Sequence, residues 1–159
     1  QNMPISDMVK RSVEIKSDVV VQDEREAGLR KLLNFGHTIG HALESWSFTT
    51  DNQLLHGEAV SLGLVAESHI SMQQGVITLA DLERVEQVLR KYKLITRIEL
   101  PADIDPIVGL LSKDKKIEAG QIKWTLLEGL GRGVFDQSVS DEQILDALSY
   151  INSSSLDSA

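Results

Sequence analysis

The stretch from His56 to Met72, HGEAVSLGLVAESHISM, constrains the fold more than any other part of the chain. Ala59, Val60, Leu62, Gly63, Leu64 and Ala66 place apolar groups around most of a helical circumference. A helix apolar on nearly every side is a buried helix, so other elements must cover it. The flanking sequence supplies them. Ser6 or Asp7 is placed to cap a first helix with Ile5, Val9, Val13 and Val20 on one stripe and Lys16 one turn past Val13. A second helical pattern runs from about Glu24 to Trp46, with Leu29, Leu32, Leu33, Ile39 and Leu43 on its apolar side. Thr78 to Asp81 is a capping box ahead of Leu82, Val85, Val88 and Leu89. Pro101 and Pro106 bracket a turn before a short helix at Ile107 to Leu111. A second capping box, Ser140 to Gln143, opens a helix carrying Ile144, Leu145, Leu148 and Ile151. The alternation in QIKWTLLE predicts a strand that pairs with GVFDQ across Gly129 to Gly133. GLGRG looks like a phosphate-binding glycine loop, but no helix follows it, so it reads as the hairpin turn. The expected fold is mainly α, a single helical domain over residues 1–159 with one small β-hairpin and a frayed tail at 153–159.

Composition narrows the function. The net charge of −8 disfavours nucleic acid as a partner. A small anionic substrate would need a local cationic pocket within that negative field. There is no cysteine, which excludes disulfides and thiolate metal sites and fits a reducing cytoplasm. No apolar run reaches the ~20 residues of a membrane span. The chain begins Gln-Asn-Met, and we expect it to be a piece of a longer protein.

The chemistry concentrates in NFGHTIGHALE and LLHGEAV. Projected on one continuous helix, Arg30, Asn34, His37, His41 and Glu44 share a face. Surface stripes are generally rich in Lys and Glu, whereas this one holds Asn and two His. Gly36 and Gly40 lie beside those histidines, although glycine inside a helix costs about 1 kcal/mol against alanine. Such glycines mark the close approach of a ligand or another backbone. His56 stands at the start of the buried helix, where the positive helix end disfavours a protonated imidazole and so favours the form that ligates metal. Two readings of the three histidines are open on the residues alone. They form a site for a borderline cation such as zinc, or they are packed groups hydrogen-bonded to Glu44 or Glu58. His69, alone in the middle of its helix, reads as structural. Lys16, Arg30, Lys115 and Lys116 add cations suited to a carboxylate or phosphate.

The motifs DEREAGLRKLLNFGHTIGHALE and LLHGEAVSLGLVAE, then DKK ahead of a strand, resemble the C-terminal domain of the 3-dehydroquinate synthase family, within the sugar-phosphate cyclases. The resemblance runs from about Lys16 to about Gly131. It implies the helical metal-binding domain of a two-domain, homodimeric enzyme whose N-terminal domain holds NAD. It implies zinc or cobalt on His37 and His56, with a glutamate from upstream of this chain as a further ligand. It implies acid-base work for His41, an active-site position for Glu26, and substrate contacts for Lys16, Arg30, Asn34 and Lys115. The implied reaction turns 3-deoxy-D-arabino-heptulosonate 7-phosphate into 3-dehydroquinate and phosphate, in the shikimate pathway. The alternatives are another sugar-phosphate cyclase or, for this chain by itself, an inactive helical metal-binding module.

Overall fold

A computed structural model describes residues 3–111 and 122–153. Lys115 and Lys116 lie outside the described residues, as does the tail from 154. The described elements are helices α1 (Ile5–Gln22), α2 (His37–Ser47), α3 (His56–Gln73), α4 (Leu79–Lys91), α5 (Asp105–Leu111) and α6 (Asp141–Ile151), with strands β1 (Trp124–Gly129) and β2 (Arg132–Gln137). A 3₁₀ segment, Leu29–Asn34, precedes α2. The mainly helical class with one hairpin is the one expected. The chain divides into two compact units, 1–34 and 35–159.

In the first unit, α1 starts one residue before the expected caps. Its N-cap is Pro4, and no side chain caps it. After α1 the chain turns on Asp23, whose carboxylate accepts the backbone N–H groups of Ala27, Gly28 and Arg30 at 2.8–3.0 Å. Those donors, that of Arg30 foremost, hold the Asp23 carboxyl below its usual range.

In the second unit α3 is the central element, in contact with α2, α4, α6 and β1. Leu62, Val65, Ala66 and Ile70 of α3 are fully buried, and around them pack Ile39 and Leu43 of α2, Ile107 of α5, Trp124 and Leu126 of β1, and Leu148 and Ile151 of α6. Both expected capping boxes form. Thr78 and Asp81 exchange side-chain and backbone bonds at the start of α4, and Ser140 and Gln143 do so at the start of α6. The strands pair antiparallel, and Leu130 and Gly131 make the turn, so GLGRG is the hairpin loop as read.

The continuous helix expected from Glu24 to Trp46 does not form. The chain breaks at Phe35 and Gly36, and Gly36 caps α2 with φ +82°. An L side chain is strained there, and an added Cβ would also meet Leu64 Cδ2 at 2.8 Å. Gly40 faces α3, where a Cβ would stand 3.0 Å from the Ala59 carbonyl. Gly63 is tighter still, because a Cβ on it would lie 1.9 Å from the Gly36 oxygen. These three glycines let the backbones of α2 and α3 touch. The close partner anticipated beside Gly36 and Gly40 is therefore a helix.

A buried polar cluster ties α4 to α6. Glu86, 4% exposed, accepts from Arg90 at 2.7 Å and from Arg97 at 2.8 Å. Arg97 lies over the Tyr150 ring, 4.4 Å from its centroid, and the other ring in contact is His69, stacked at 4.2 Å. Burial pushes the Glu86 carboxyl up, but the bonds from Arg90, Arg97 and Tyr150 together outweigh it and leave the carboxyl below its usual range. Burial, and then Glu86 itself, raise the Tyr150 hydroxyl.

Two outcomes follow from this packing. Gly63→Ala should lower the unfolding free energy by about 3 kcal/mol, because the methyl overlaps backbone that has no room to move. Urea titration measures it. The Glu86 carboxyl has a folded value below its unfolded one. Its stabilisation is therefore complete above the unfolded value of about 4.3 and is lost as the pH falls through the folded value. Urea midpoints recorded from pH 7 down to pH 3 should show an acid-side loss that is smaller in Glu86→Gln.

Candidate metal centre

His37 is the first residue of α2, and His41 lies one turn on, so both project from the same face. His56 is the first residue of α3. The crossing of the two helices brings the three imidazoles together. One ligand nitrogen from each lies within 4.8 Å of the others. The ring centroids are 5.3 Å apart for His37 and His41, 5.6 Å for His37 and His56, and 5.7 Å for His41 and His56. His37 and His41 are half-buried and His56 is exposed.

The surroundings orient these rings. His37 Nδ1 lies 3.2 Å from the Phe35 carbonyl. A carbonyl only accepts, so this bond puts the proton on Nδ1 and the lone pair on Nε2. His56 Nδ1 lies 3.1 Å from Glu44 Oε2, and donation to that carboxylate likewise leaves the lone pair on Nε2. Metal-ligating histidines are normally held in this way, with the second nitrogen on a carbonyl or carboxylate. Glu58, the other acid considered as a histidine partner, instead accepts the Leu55 N–H at 2.9 Å at the start of α3. Three imidazoles with room between them suit zinc or cobalt, which take nitrogen donors in open catalytic sites. Among the described residues, this is the group of His and acidic side chains with metal-ligand spacing. His69 stands outside it. Its Nε2 meets Asp146 at 2.9 Å, and its ring stacks on Tyr150.

The break at Gly36 divides the five-residue polar face expected from Arg30 to Glu44. His37, His41 and Glu44 keep it on α2. Arg30 and Asn34 belong to the 3₁₀ segment of the first unit. Within that unit Asn34 Nδ2 donates to the Glu26 carboxylate at 2.8 Å, and Glu26 has φ +56°. The Arg30 guanidinium donates to the Glu24 carbonyl at 2.8 Å. Lys16 is exposed on α1. One residue was passed over in the sequence. Glu67 is fully buried in α3, and its carboxylate accepts the N–H groups of Gly36 and Ile39 at the start of α2. The available signal was a carboxylate inside the apolar run LVAESH.

This helical fold recurs within solved synthases of cyclic polyols. A solved 2-epi-5-epi-valiolone synthase from Streptomyces hygroscopicus subsp. jinggangensis, with NAD+ and Zn2+ bound, matches with a TM-score of 0.74 and 28% identity over 89% of this chain and 38% of that one. A 2-deoxy-scyllo-inosose synthase complexed with carbaglucose-6-phosphate, NAD+ and Co2+ has the same fold, with a TM-score of 0.73 and 23% identity over 86% of this chain and 39% of that one. Residues 1–117 match the family described as 3-dehydroquinate synthase C-terminal, and the chain belongs to that family. The 3-dehydroquinate synthase of Acaryochloris marina is 42% identical over 146 residues, which are 91% of this chain and 38% of that protein. That of Rippkaea orientalis is 40% identical over 137 residues, 86% of this chain and 37% of that protein. The chain thus spans well under half the length of these curated relatives.

Glu44→Ala should lower zinc affinity by about 10–100-fold while the fold is kept, since it frees the His56 ring from its carboxylate. Competition titration against a chromophoric chelator checks this.

Proposed function

We propose that this chain is the C-terminal, metal- and substrate-binding part of a 3-dehydroquinate synthase. The enzyme converts 3-deoxy-D-arabino-heptulosonate 7-phosphate to 3-dehydroquinate and phosphate, in the cytoplasm and as a homodimer. The observation that carries this reading is the three-imidazole cluster, formed by histidines within the residues that match the family. Zinc or cobalt, when bound, supplies Lewis acidity toward the substrate's hydroxyl groups. NAD, held mainly by an N-terminal domain absent from this chain, supplies reversible oxidation of one hydroxyl.

The roles proposed for this chain's residues are those that the resemblance to its family implies. His37 and His56 hold the metal through Nε2, with a glutamate from outside the chain. His41, beside them, takes and returns a proton as the phosphate is lost, and Glu26 serves the same reaction as an acid. Lys16, Arg30, Asn34 and Lys115 hold the substrate's carboxylate and phosphate. Arg30 brings a bidentate fork, and the lysines bring point charges. Fixing both anionic ends removes most of the orientational freedom that would otherwise raise the barrier. The equal spacing of the three rings favours a second reading of His41, as a third protein ligand in a His₃ set. The likeness to a valiolone synthase keeps another sugar-phosphate cyclase activity as the alternative reaction.

Zinc titration of single variants separates the two roles of His41. His37→Ala and His56→Ala should each weaken zinc by at least about tenfold, whereas His41→Ala should leave affinity within about threefold. Equal loss in all three makes His41 a ligand. The 159-residue chain alone, supplied with NAD+ and the heptulosonate phosphate, should release no phosphate above a metal-only blank. Turnover by the chain alone would overturn its assignment as one part of a larger active enzyme.

A further inference from the structure

We propose that Glu67 is a positioning residue for the three-histidine centre, acting through the start of α2. This rests on the metal reading of His37, His41 and His56.

Helix α2 begins without a capping side chain, because its N-cap is Gly36 in a left-handed conformation. Its first N–H groups therefore need acceptors from elsewhere. Glu67 supplies them from the neighbouring helix. One carboxylate oxygen takes the Gly36 N–H at 2.5 Å, and the other takes the Ile39 N–H at 3.1 Å. These two residues bracket His37. The carboxylate is 0% exposed, and it faces the positive end of the α2 dipole. One turn earlier on the same face of α3, Gly63 receives the Gly36 carbonyl, with no space for even a methyl group. Gly63 and Glu67 thus form a socket that grips both polar groups of the Gly36 residue.

The socket sets the position of α2 along α3. His37 and His41 ride on α2, and His56 is the first residue of α3. The distance of the His56 ring from the other two is therefore set by the separation of the helices, and Glu67 fixes it through the start of α2. Metal centres lose function when their supporting groups leave the ligands about 1 Å loose, so the bidentate grip serves geometry as well as stability. A glutamine at this position has one acceptor oxygen and would turn an NH₂ toward the second N–H. It keeps the volume and loses half of the grip.

The test uses the 159-residue chain and Co2+ as a spectroscopic probe. In Glu67→Gln, Co2+ affinity should fall by about tenfold, and the visible ligand-field band should change shape. A comparison variant, Leu148→Ala, removes core packing away from the socket. It should lower stability while leaving the affinity and the band of the folded protein as in the wild type. Glu67→Gln that folds and keeps the wild-type affinity and band overturns the proposal. A second measurement needs no variant. Binding and socket are linked, so Zn2+ should slow hydrogen exchange at the Gly36 and Ile39 amides by about tenfold or more. Zinc that shifts the histidine ring signals and leaves those two amides unchanged also overturns it. A wild-type chain that takes up neither cobalt nor zinc, even at millimolar metal, instead overturns the premise that this chain's own imidazoles suffice to bind the ion, on which the proposal stands.

Discussion

Contact between the backbones of α2 and α3 underlies the second unit. The Gly36 carbonyl rests where Gly63 has no side chain, and Glu67 holds the amide of the same residue. Two helices normally pack 8–10 Å apart, at a distance set by their side chains. Glycine removes that spacer at the crossing. The buried carboxylate is stable there because its charge meets oriented N–H donors and the positive end of a helix. Removing either component leaves a clash or an unpaired buried group, both of which are expensive.

Function in this unit follows from that contact. Histidines at the first turn of α2 and the first residue of α3 would be remote in sequence terms, nineteen positions apart between His37 and His56. The crossing makes them neighbours. Their outer nitrogens are then fixed by the Phe35 carbonyl just ahead of α2 for His37 and, across the helix pair, by Glu44 of α2 for His56. The crossing thus both assembles the centre and supplies one of the bonds that orient it. A second polar cluster, of His69, Tyr150, Arg97 and Glu86, joins three helices through stacking and charge.

Much of this was legible beforehand. The apolar circumference of α3, the capping boxes at Thr78 and Ser140, and the alternation around Trp124 each report a local preference, and each appears as read. The motif histidines were legible because imidazoles in such a pattern are uncommon on a solvent face. The break before His37 was not legible. Periodicity through Arg30, Asn34, His37 and His41 is the same whether the helix runs on or restarts in register, and a glycine inside the pattern is compatible with both. Likewise, the cap at Ser6 or Asp7 was a sound local signal overridden by a helix that starts at Ile5, behind Pro4.

The sequence alone determined the helical class, the buried helix, the hairpin and the histidines on which the chemistry rests, because these depend on patterns within a few turns. Only the tertiary structure decided that Gly36 ends one segment and begins another, that Gly63 and Glu67 meet it from a helix far along the chain, and that three imidazoles converge. Those outcomes depend on which surfaces of α2 and α3 fit when water is excluded between them. A glycine's missing side chain and a glutamate's buried charge have no partner to name until the second helix is in place.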